Sequence, residues 1–376
     1  MKVAIIHDYI KEYGGAERVL EVLHEIWPDA PIFTTVYLPE FLGPHKTRFK
    51  DWEIRTSWFQ NIPFVHKLIS PLRILTPWVF ENWDFSDFDL IVVSATGAFF
   101  PNLIVCKPET LQICYCHTPP RYLYGYPTAR NWKKNALGRI VGEYVNHDLR
   151  QVDFMAAQRP DFFIANSLEI KRRIWKFYRK EATVIYPPVL INSKLETRNS
   201  KQNTKGRKYY LTGGRLARAK HINIAIEACN RLNLPLKVFG KSFADYMDEL
   251  RGIAGPTIKF IGEVSEIELV NLYKGAEALL FPSEYEDFGI IPIEAMAQGI
   301  PVVAYRSGGV KETVIDGKTG VFFDELSADS LVKAISKLSK LKIKREECIK
   351  QARKFSKERF KKEIKEFIRE HLTDNI

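Results

Sequence analysis

The chain has 376 residues, 45% of them hydrophobic and 27% charged. At roughly 150 residues per domain that length predicts two domains, and the composition excludes a disordered, collagen-like or disulfide-stapled chain. Lysine and arginine number 56 against 45 acids, a net charge of +11, which suits a nucleic-acid, anionic-lipid or phosphate-bearing partner.

The N-terminus, MKVAIIHDYI, has neither a long apolar core nor a cleavage site. It reads as a first strand, Val3 to Ile6, rather than a signal peptide. Short apolar runs then alternate with helical patterns such as Ala16 to Ile26 and Leu168 to Phe177, the signature of a parallel α/β sheet. The later strands of the first half are Leu90 to Ser94, Leu111 to Cys116, Phe162 to Ala165 and Thr183 to Ile185. The uncharged run Leu90 to Cys106 falls short of the ~20 apolar residues of a membrane-spanning helix.

After Tyr186-Pro187-Pro188 the polar stretch Asn192 to Lys208 reads as a linker or surface loop. A second α/β series follows, with strands Tyr209 to Thr212, Leu236 to Phe239, Ile258 to Ile261, Ala278 to Phe281, Val302 to Ala304 and Gly320 to Phe322. The last 30 or so residues are charged and helical. Two Rossmann-like domains are expected, residues 1–190 and 209–355, with ligands at the carboxyl ends of strands.

Four motifs carry chemistry. Gly14-Gly15-Ala16-Glu17-Arg18 lies between the first strand and first helix, where close backbone approach and free helix N–H groups suit a phosphate. The alternative there is an ordinary tight turn. Gly213-Gly214-Arg215-Leu216-Ala217-Arg218-Ala219-Lys220 follows the first strand of the second half. Arg215 can offer a planar fork to a phosphate and Lys220 a compact charge. The run Pro282 to Ala297 puts Glu286 in a loop and Glu294 in a helix expected to begin near Pro292, with Gly289 and Ile290 supplying amides ahead of it. Both carboxylates can accept hydrogen bonds from sugar hydroxyls.

The fourth is Cys114-Tyr115-Cys116-His117-Thr118-Pro119-Pro120-Arg121. Cys114 and Cys116 are read as diverging to opposite faces of their strand, which together with the ligand spacing speaks against zinc. His117, at the strand end before Pro119-Pro120, is a candidate site residue. The odd count of five cysteines without paired spacing predicts free thiols and a reducing compartment. Asp87-Phe88-Asp89 is a literal D-x-D, but it precedes an apolar strand and is read as a loop feeding that strand rather than a metal site.

Two basic runs remain. Residues 121–142 hold Arg121, Arg130, Lys133, Lys134 and Arg139 with no acid, and residues 171–180 read KRRIWKFYRK. Each is either a solvated face or a partner surface. The stretch Trp58 to Trp83 mixes aromatics, leucines and prolines with Lys67 and Arg73. It is read either as contact with anionic membrane or as a core helix pair.

In this order, GGAERV, CHTPPR, Asn166-Ser167, the PPV segment, GRLARAK and the Glu286-to-Glu294 element resemble glycosyltransferase family 4, retaining enzymes of the GT-B fold. Segments such as IFTTVYLPE, TSWFQ and CYCHTPPRYLY are most similar to bacterial O-antigen mannosyltransferases. The resemblance implies an α/β, GT-B architecture of two Rossmann-like domains facing each other across a cleft. The first domain would bind the acceptor and the second the nucleotide-sugar, with the C-terminal helix, about residues 356–376, packing back on the first.

By that resemblance Arg215 and Lys220 hold the donor diphosphate, Glu294 the ribose and Glu286 the donor-sugar hydroxyls. Phe288, Gly289 and Ile290 supply backbone contacts, Gly14 and Gly15 face the diphosphate, and His117 faces the sugar. His117, Glu286, Arg215 and Lys220 are then the catalytic set, with no metal and no cofactor beyond the donor substrate. The implied reaction moves a hexose, mannose from GDP-mannose, to a growing surface polysaccharide or lipid-linked glycan. The expected place, from the free thiols, is the cytoplasm, peripheral at the inner face of the cytoplasmic membrane if the Trp58-to-Trp83 stretch meets lipid rather than forming a core helix pair. Where the resembled family often has Glu-Gly-Phe-Gly, this chain has Glu286-Asp287-Phe288-Gly289, and Ala219 precedes Lys220 where an acid is common. Competing readings are a UDP-sugar-dependent transferase, a noncatalytic nucleotide-sugar binder and a nucleic-acid binder. The paired carboxylates sit badly with a nucleic-acid backbone.

Overall fold

The computed structural model describes residues 1–128, 136–189, 209–242 and 246–373. Arg130, Lys133 and Lys134 of the first basic run, and the polar stretch 192–208, lie outside the described residues. The chain divides into two compact units, the first closing at Pro188 and resuming at Glu358, the second holding Val189–Lys357.

The first unit is a parallel sheet of seven strands in the order β3-β2-β1-β4-β5-β6-β7. They are β1 Val3–His7, β2 Ile32–Thr34, β3 Ile54–Thr56, β4 Leu90–Ala95, β5 Leu111–Cys116, β6 Phe162–Ala165 and β7 Thr183–Val184. Near-continuous apolar runs form the central strands because both faces of the sheet are covered. On one face Ile5, Val92, Ile113 and Tyr115 meet Val19, Leu20 and Leu23 of the helix Gly15–Ile26. Phe360, Ile364, Phe367 and Ile368 of the C-terminal helix Lys357–Thr373 join that cluster. On the other face Ala4, Ile6, Ile91, Val93, Cys114 and Cys116 pack with Leu149, Ile170 and Ile174. Each fully buried aliphatic side chain contributes about 1.5–3 kcal/mol.

Cys114 and Cys116 therefore share one face, contrary to the divergence expected of them. Strand side chains alternate, so residues two apart point the same way and Tyr115 between them points to the other face. All five cysteines are free thiols. Asp87 and Asp89 lie exposed in the loop entering β4, where the Asp89 carboxylate accepts the Lys2 backbone N–H at 2.6 Å.

The stretch from Trp58 onward forms short helical turns around a satellite core of Phe59, Val65, Leu72 and Val79. Its other side is apolar and exposed: Trp58 is 51% exposed, Phe64 72%, Ile74 47% and Trp78 58%. In the KRRIWKFYRK run the helix Leu168–Tyr178 buries Arg173, which pairs with Glu169 at 3.2 Å and lies over the Tyr126 ring. Arg172, Trp175 and Lys176 are exposed. One cation of that run is thus structural, and the rest form a solvated face.

The second unit is a parallel sheet of six strands in the order β10-β9-β8-β11-β12-β13. They are β8 Tyr209–Gly213, β9 Leu236–Phe239, β10 Ile258–Gly262, β11 Ala276–Phe281, β12 Val302–Tyr305 and β13 Gly320–Phe323. Ala225 and Ala228 of the helix Ile222–Arg231 and Leu331 and Ile335 of the helix Ala328–Lys340 cover one face. In both units the strand order reverses beside the first strand, between β1 and β4 and between β8 and β11. Those reversals open a crevice at the carboxyl ends of the strands, where ligands of open α/β sheets bind.

Candidate functional site

The candidate site residues of the first unit, Gly14, Gly15 and His117, follow the carboxyl ends of β1 and β5. Gly14-Gly15 opens the helix that follows β1. Gly14 is its N-cap, and Glu17 closes a capping interaction by accepting the Gly14 N–H at 2.8 Å. His117 follows β5, its own N–H bonded to the Ala95 carbonyl at 2.9 Å. The Asn166 side-chain amide donates to the His117 carbonyl at 2.8 Å.

The His117 ring is buried, with Nε2 at 2.9 Å from Ser94 Oγ. Burial, with a smaller contribution from His7, pushes its pKa down to about 3. The imidazole is therefore neutral at physiological pH. Close by, the fully buried Asp8 carboxylate accepts from Thr96 N–H at 2.5 Å, Thr96 O–H at 2.6 Å and Phe99 N–H at 3.0 Å. Desolvation still outweighs these bonds and raises its pKa.

In the second unit the loops after β8 and β11 are tied together, because those strands are neighbours in the sheet. Glu284 N–H donates to the Ala219 carbonyl at 3.2 Å, and His221 Nε2 lies 3.3 Å from Glu284 Oε2. Lys220 Nζ pairs directly with Glu286 Oε2, and Ser283 O–H donates to the same oxygen at 2.6 Å. The structure thus joins the cation and the carboxylate that the sequence placed in separate motifs. Arg215 is exposed on the loop after β8.

The Glu286 loop is held from below by the turn after β12. Gly309 N–H donates to the Glu286 carbonyl at 2.7 Å, and Tyr285 N–H to Ser307 Oγ at 3.1 Å. Tyr285 takes a left-handed backbone (φ 49°), a strained choice of the kind that collects at functional loops. The following helix is Ile290–Ala297, with Gly289 (φ 89°) as N-cap. It begins two residues before the expected Pro292, since a left-handed glycine can end the loop earlier than the proline requires. Gly289 and Ile290 therefore stand at the N-terminal turn. Phe288 is buried, edge-on to Phe355 at 5.5 Å. Glu294, half-buried on the helix, accepts from Tyr273 O–H at 3.2 Å.

Residue-by-residue reading of the sequence missed His7, Ser94, Ser283, Tyr273, His221 and the Gly308-Gly309 pair as neighbours of the site. A polar residue closing an apolar strand, as in VAIIH and LIVVS, was the available signal for His7 and Ser94. Among the described residues no group of three His, Cys, Asp or Glu side chains is placed to hold a metal ion, and no helix is long and apolar enough to cross a membrane.

Residues 193–355 match the family described as Glycosyl transferases group 1. The alpha-1,3/1,6-mannosyltransferase ALG2 of Debaryomyces hansenii is 25% identical over 84% of this chain and 76% of its own length. The protein of the same name from Kluyveromyces lactis is 27% identical over 84% of this chain and 71% of its own. Among solved structures, Anabaena HepE in complex with UDP and glucose superposes with a TM-score of 0.67 at 18% identity, covering 98% of this chain and 99% of that one. Sucrose-phosphate synthase from Thermosynechococcus elongatus gives a TM-score of 0.72 at 17% identity, with 100% of both chains covered. At such identities the structural likeness establishes the fold, two Rossmann-like units of the GT-B type.

Proposed function

We propose that this chain, a glycosyltransferase carrying a group 1 domain on a GT-B fold, moves mannose from GDP-mannose to a growing surface polysaccharide or lipid-linked glycan. Transfer retains anomeric configuration and requires no metal. The observation that carries this reading is the likeness to mannosyltransferases over 84% of the chain. The Lys220–Glu286–Ser283 assembly supports it in chemical terms.

Glu286 accepts from Lys220 and Ser283 through one oxygen, and an ionised carboxylate has lone pairs to accept sugar hydroxyls as well. Arg215 and Lys220 bind the donor diphosphate and stabilise the charge that develops on it as the glycosidic bond breaks. The amides at Phe288, Gly289 and Ile290, at a helix N-terminus, add fixed donors for anionic oxygens. Glu294 accepts the ribose hydroxyls. In the first unit, Gly14 and Gly15 offer their turn to the diphosphate, and the neutral His117 meets the donor sugar.

Calorimetry with GDP, GDP-mannose, UDP, ADP and their common sugars, with and without EDTA, tests the reading. Selective binding of GDP and GDP-mannose that survives EDTA is expected. Selective UDP binding would move the donor to a UDP-sugar while leaving the class intact, and loss of binding in EDTA would overturn metal independence. The exposed Trp58, Phe64, Ile74 and Trp78, with Lys67 exposed among them, favour peripheral contact with anionic lipid as a second property. Sedimentation with anionic vesicles at low salt, and none with neutral ones, is the expected result. No sedimentation with either removes that property.

A further inference from the structure

His7, Ser94 and His117 belong to three adjacent strands, β1, β4 and β5, or to their immediate continuation. His7 pairs with Ser94 in register, and Ser94 with Tyr115, two residues before His117. The alternation that sends Ile5, Val92 and Tyr115 to one face sends His7, Ser94 and His117 there too. The helix Gly15–Ile26 packs on that same face and brings Glu17 over His7. Parity and topology alone thus collect four polar side chains into a line.

His7 Nδ1 lies 3.0 Å from Ser94 Oγ and Ser94 Oγ lies 2.9 Å from His117 Nε2, both within hydrogen-bond reach. Glu17 Oε1 stands 3.6 Å from His7 Nε2, an ion-pair distance that leaves Nε2 without a hydrogen-bond partner among the described residues. His7 and Ser94 are fully buried, and Glu17 and His117 nearly so. The other Glu17 oxygen holds the Gly14 N–H. Among the described residues His117 Nδ1 has no hydrogen-bond partner.

A hydroxyl has one proton, so Ser94 donates to one imidazole and accepts from the other. With one proton on the His7 ring, the field of the Glu17 carboxylate draws it to Nε2, the nitrogen facing the carboxylate, and leaves Nδ1 as a lone pair. Ser94 must then donate to His7 and accept from His117 Nε2–H. His117 is left with its lone pair on Nδ1. The low pKa of His117, about 3, agrees with a ring that is neutral and therefore has a tautomer to select.

We propose that Glu17, His7 and Ser94 are positioning residues that hold His117 in its Nε2–H tautomer, with Nδ1 as an acceptor for a donor-sugar hydroxyl. The last clause rests on the reading of His117 given above. The tautomer itself does not. Through Glu17 the same line also fixes the Gly14-Gly15 turn, so the two first-unit elements read as donor contacts are set by one carboxylate.

Long-range 1H–15N spectra of the imidazoles in the full-length chain test the tautomer, with His117 assigned by its loss in His117→Gln. A protonated Nε2 and an unprotonated Nδ1 are expected in the unsubstituted protein. Ser94→Ala and Glu17→Gln should each pull the two resonances toward an average, and Ser94→Thr, which keeps the hydroxyl, should restore them. Because Glu17→Gln also weakens a helix cap, Ser94→Ala alone decides if that variant does not fold. In transferase assays Ser94→Ala should lower kcat by at least about tenfold with KM nearly unchanged, since a mis-set imidazole costs rate rather than binding. Ser94→Thr should recover most of it. An Nδ1–H tautomer in the unsubstituted protein, or resonances indifferent to Ser94→Ala, overturns the positioning line. The expected spectra with unaltered turnover would keep the line and refute the placement of His117 at the sugar.

Discussion

A single methyl group beneath the Glu286 loop should disable the second unit's site. A Cβ built on Gly308 meets the Glu286 carbonyl oxygen at 2.1 Å and its nitrogen at 2.7 Å, and Gly308 has φ +66°. Ordinary contact begins at 3.4 Å, so the Glu286 backbone has to retreat by about 1 Å. That movement breaks the 2.7 Å bond from Gly309 N–H and shifts the carboxylate away from Lys220 and Ser283.

Gly317 supplies the control. It has a similar φ of +74° with nothing within 4 Å of the added carbon. Gly317→Ala thus carries only the left-handed strain, about 1 kcal/mol net. Gly308→Ala carries that strain plus about 1–3 kcal/mol of forced backbone movement. Urea denaturation should separate the two variants by that margin. A misplacement of about 1 Å costs on the order of 10²-fold in rate, so Gly308→Ala should lose turnover to that extent while Gly317→Ala stays within about twofold of the parent. Equal stability and equal turnover for both variants would refute the claim that this turn holds Glu286 in place.

Lys220→Ala should lower kcat by roughly 10²–10³-fold, the usual cost of removing a group aimed at developing charge. Steady-state kinetics with a saturating acceptor would show it, and a change confined to KM would count against that role. Asp153, buried beneath Tyr124 O–H at 2.7 Å and Tyr178 O–H at 3.2 Å, has its pKa raised by desolvation to about 7. The folded state therefore keeps a proton that the unfolded state releases near 3.8, and stability from this group is full below that value and falls as pH rises to about 7. Asp153→Asn resembles the protonated form. Between pH 5 and pH 8 the parent should lose roughly 2–3 kcal/mol more than the variant, read from urea midpoints. Parallel pH profiles would show that Asp153 ionises normally. His117 works in the opposite direction, its depressed pKa costing stability as pH falls from about 6.5 toward 3. Replacing it with Gln should flatten that acid limb, and an unchanged limb would show that the ring charges freely.

The central strands were readable because burial on both faces writes them as apolar runs, and LQICYC and FFIA match β5 and β6 at both ends. β2 and β3 were not. Each has three residues, too few for a period to show, and Ile32–Thr34 owes its place to pairing with β1 rather than to any pattern of its own. The error over Cys114 and Cys116 was one of parity rather than of sequence. The same alternation, combined with the register of β1, β4 and β5, puts His7, Ser94 and His117 on one face.

What the site owes to local sequence and what it owes to topology can be separated residue by residue. Glycine turns before helices and the Glu286-to-Glu294 spacing are chain-local, so they stand out in one sequence. The Lys220–Glu286 pair joins residues 66 apart, and only the adjacency of β8 and β11 brings them together. The Ser94–His117 bond spans 23 residues and the His7–Ser94 bond 87, again between neighbouring strands. The strands flanking the order reversal deliver the His7–Ser94 and Lys220–Glu286 partners, and β5, the next strand beyond β4, adds His117. A polar residue at the end of an apolar strand beside that reversal is thus a stronger site signal than the same residue elsewhere, because the sheet order already determines what will stand next to it.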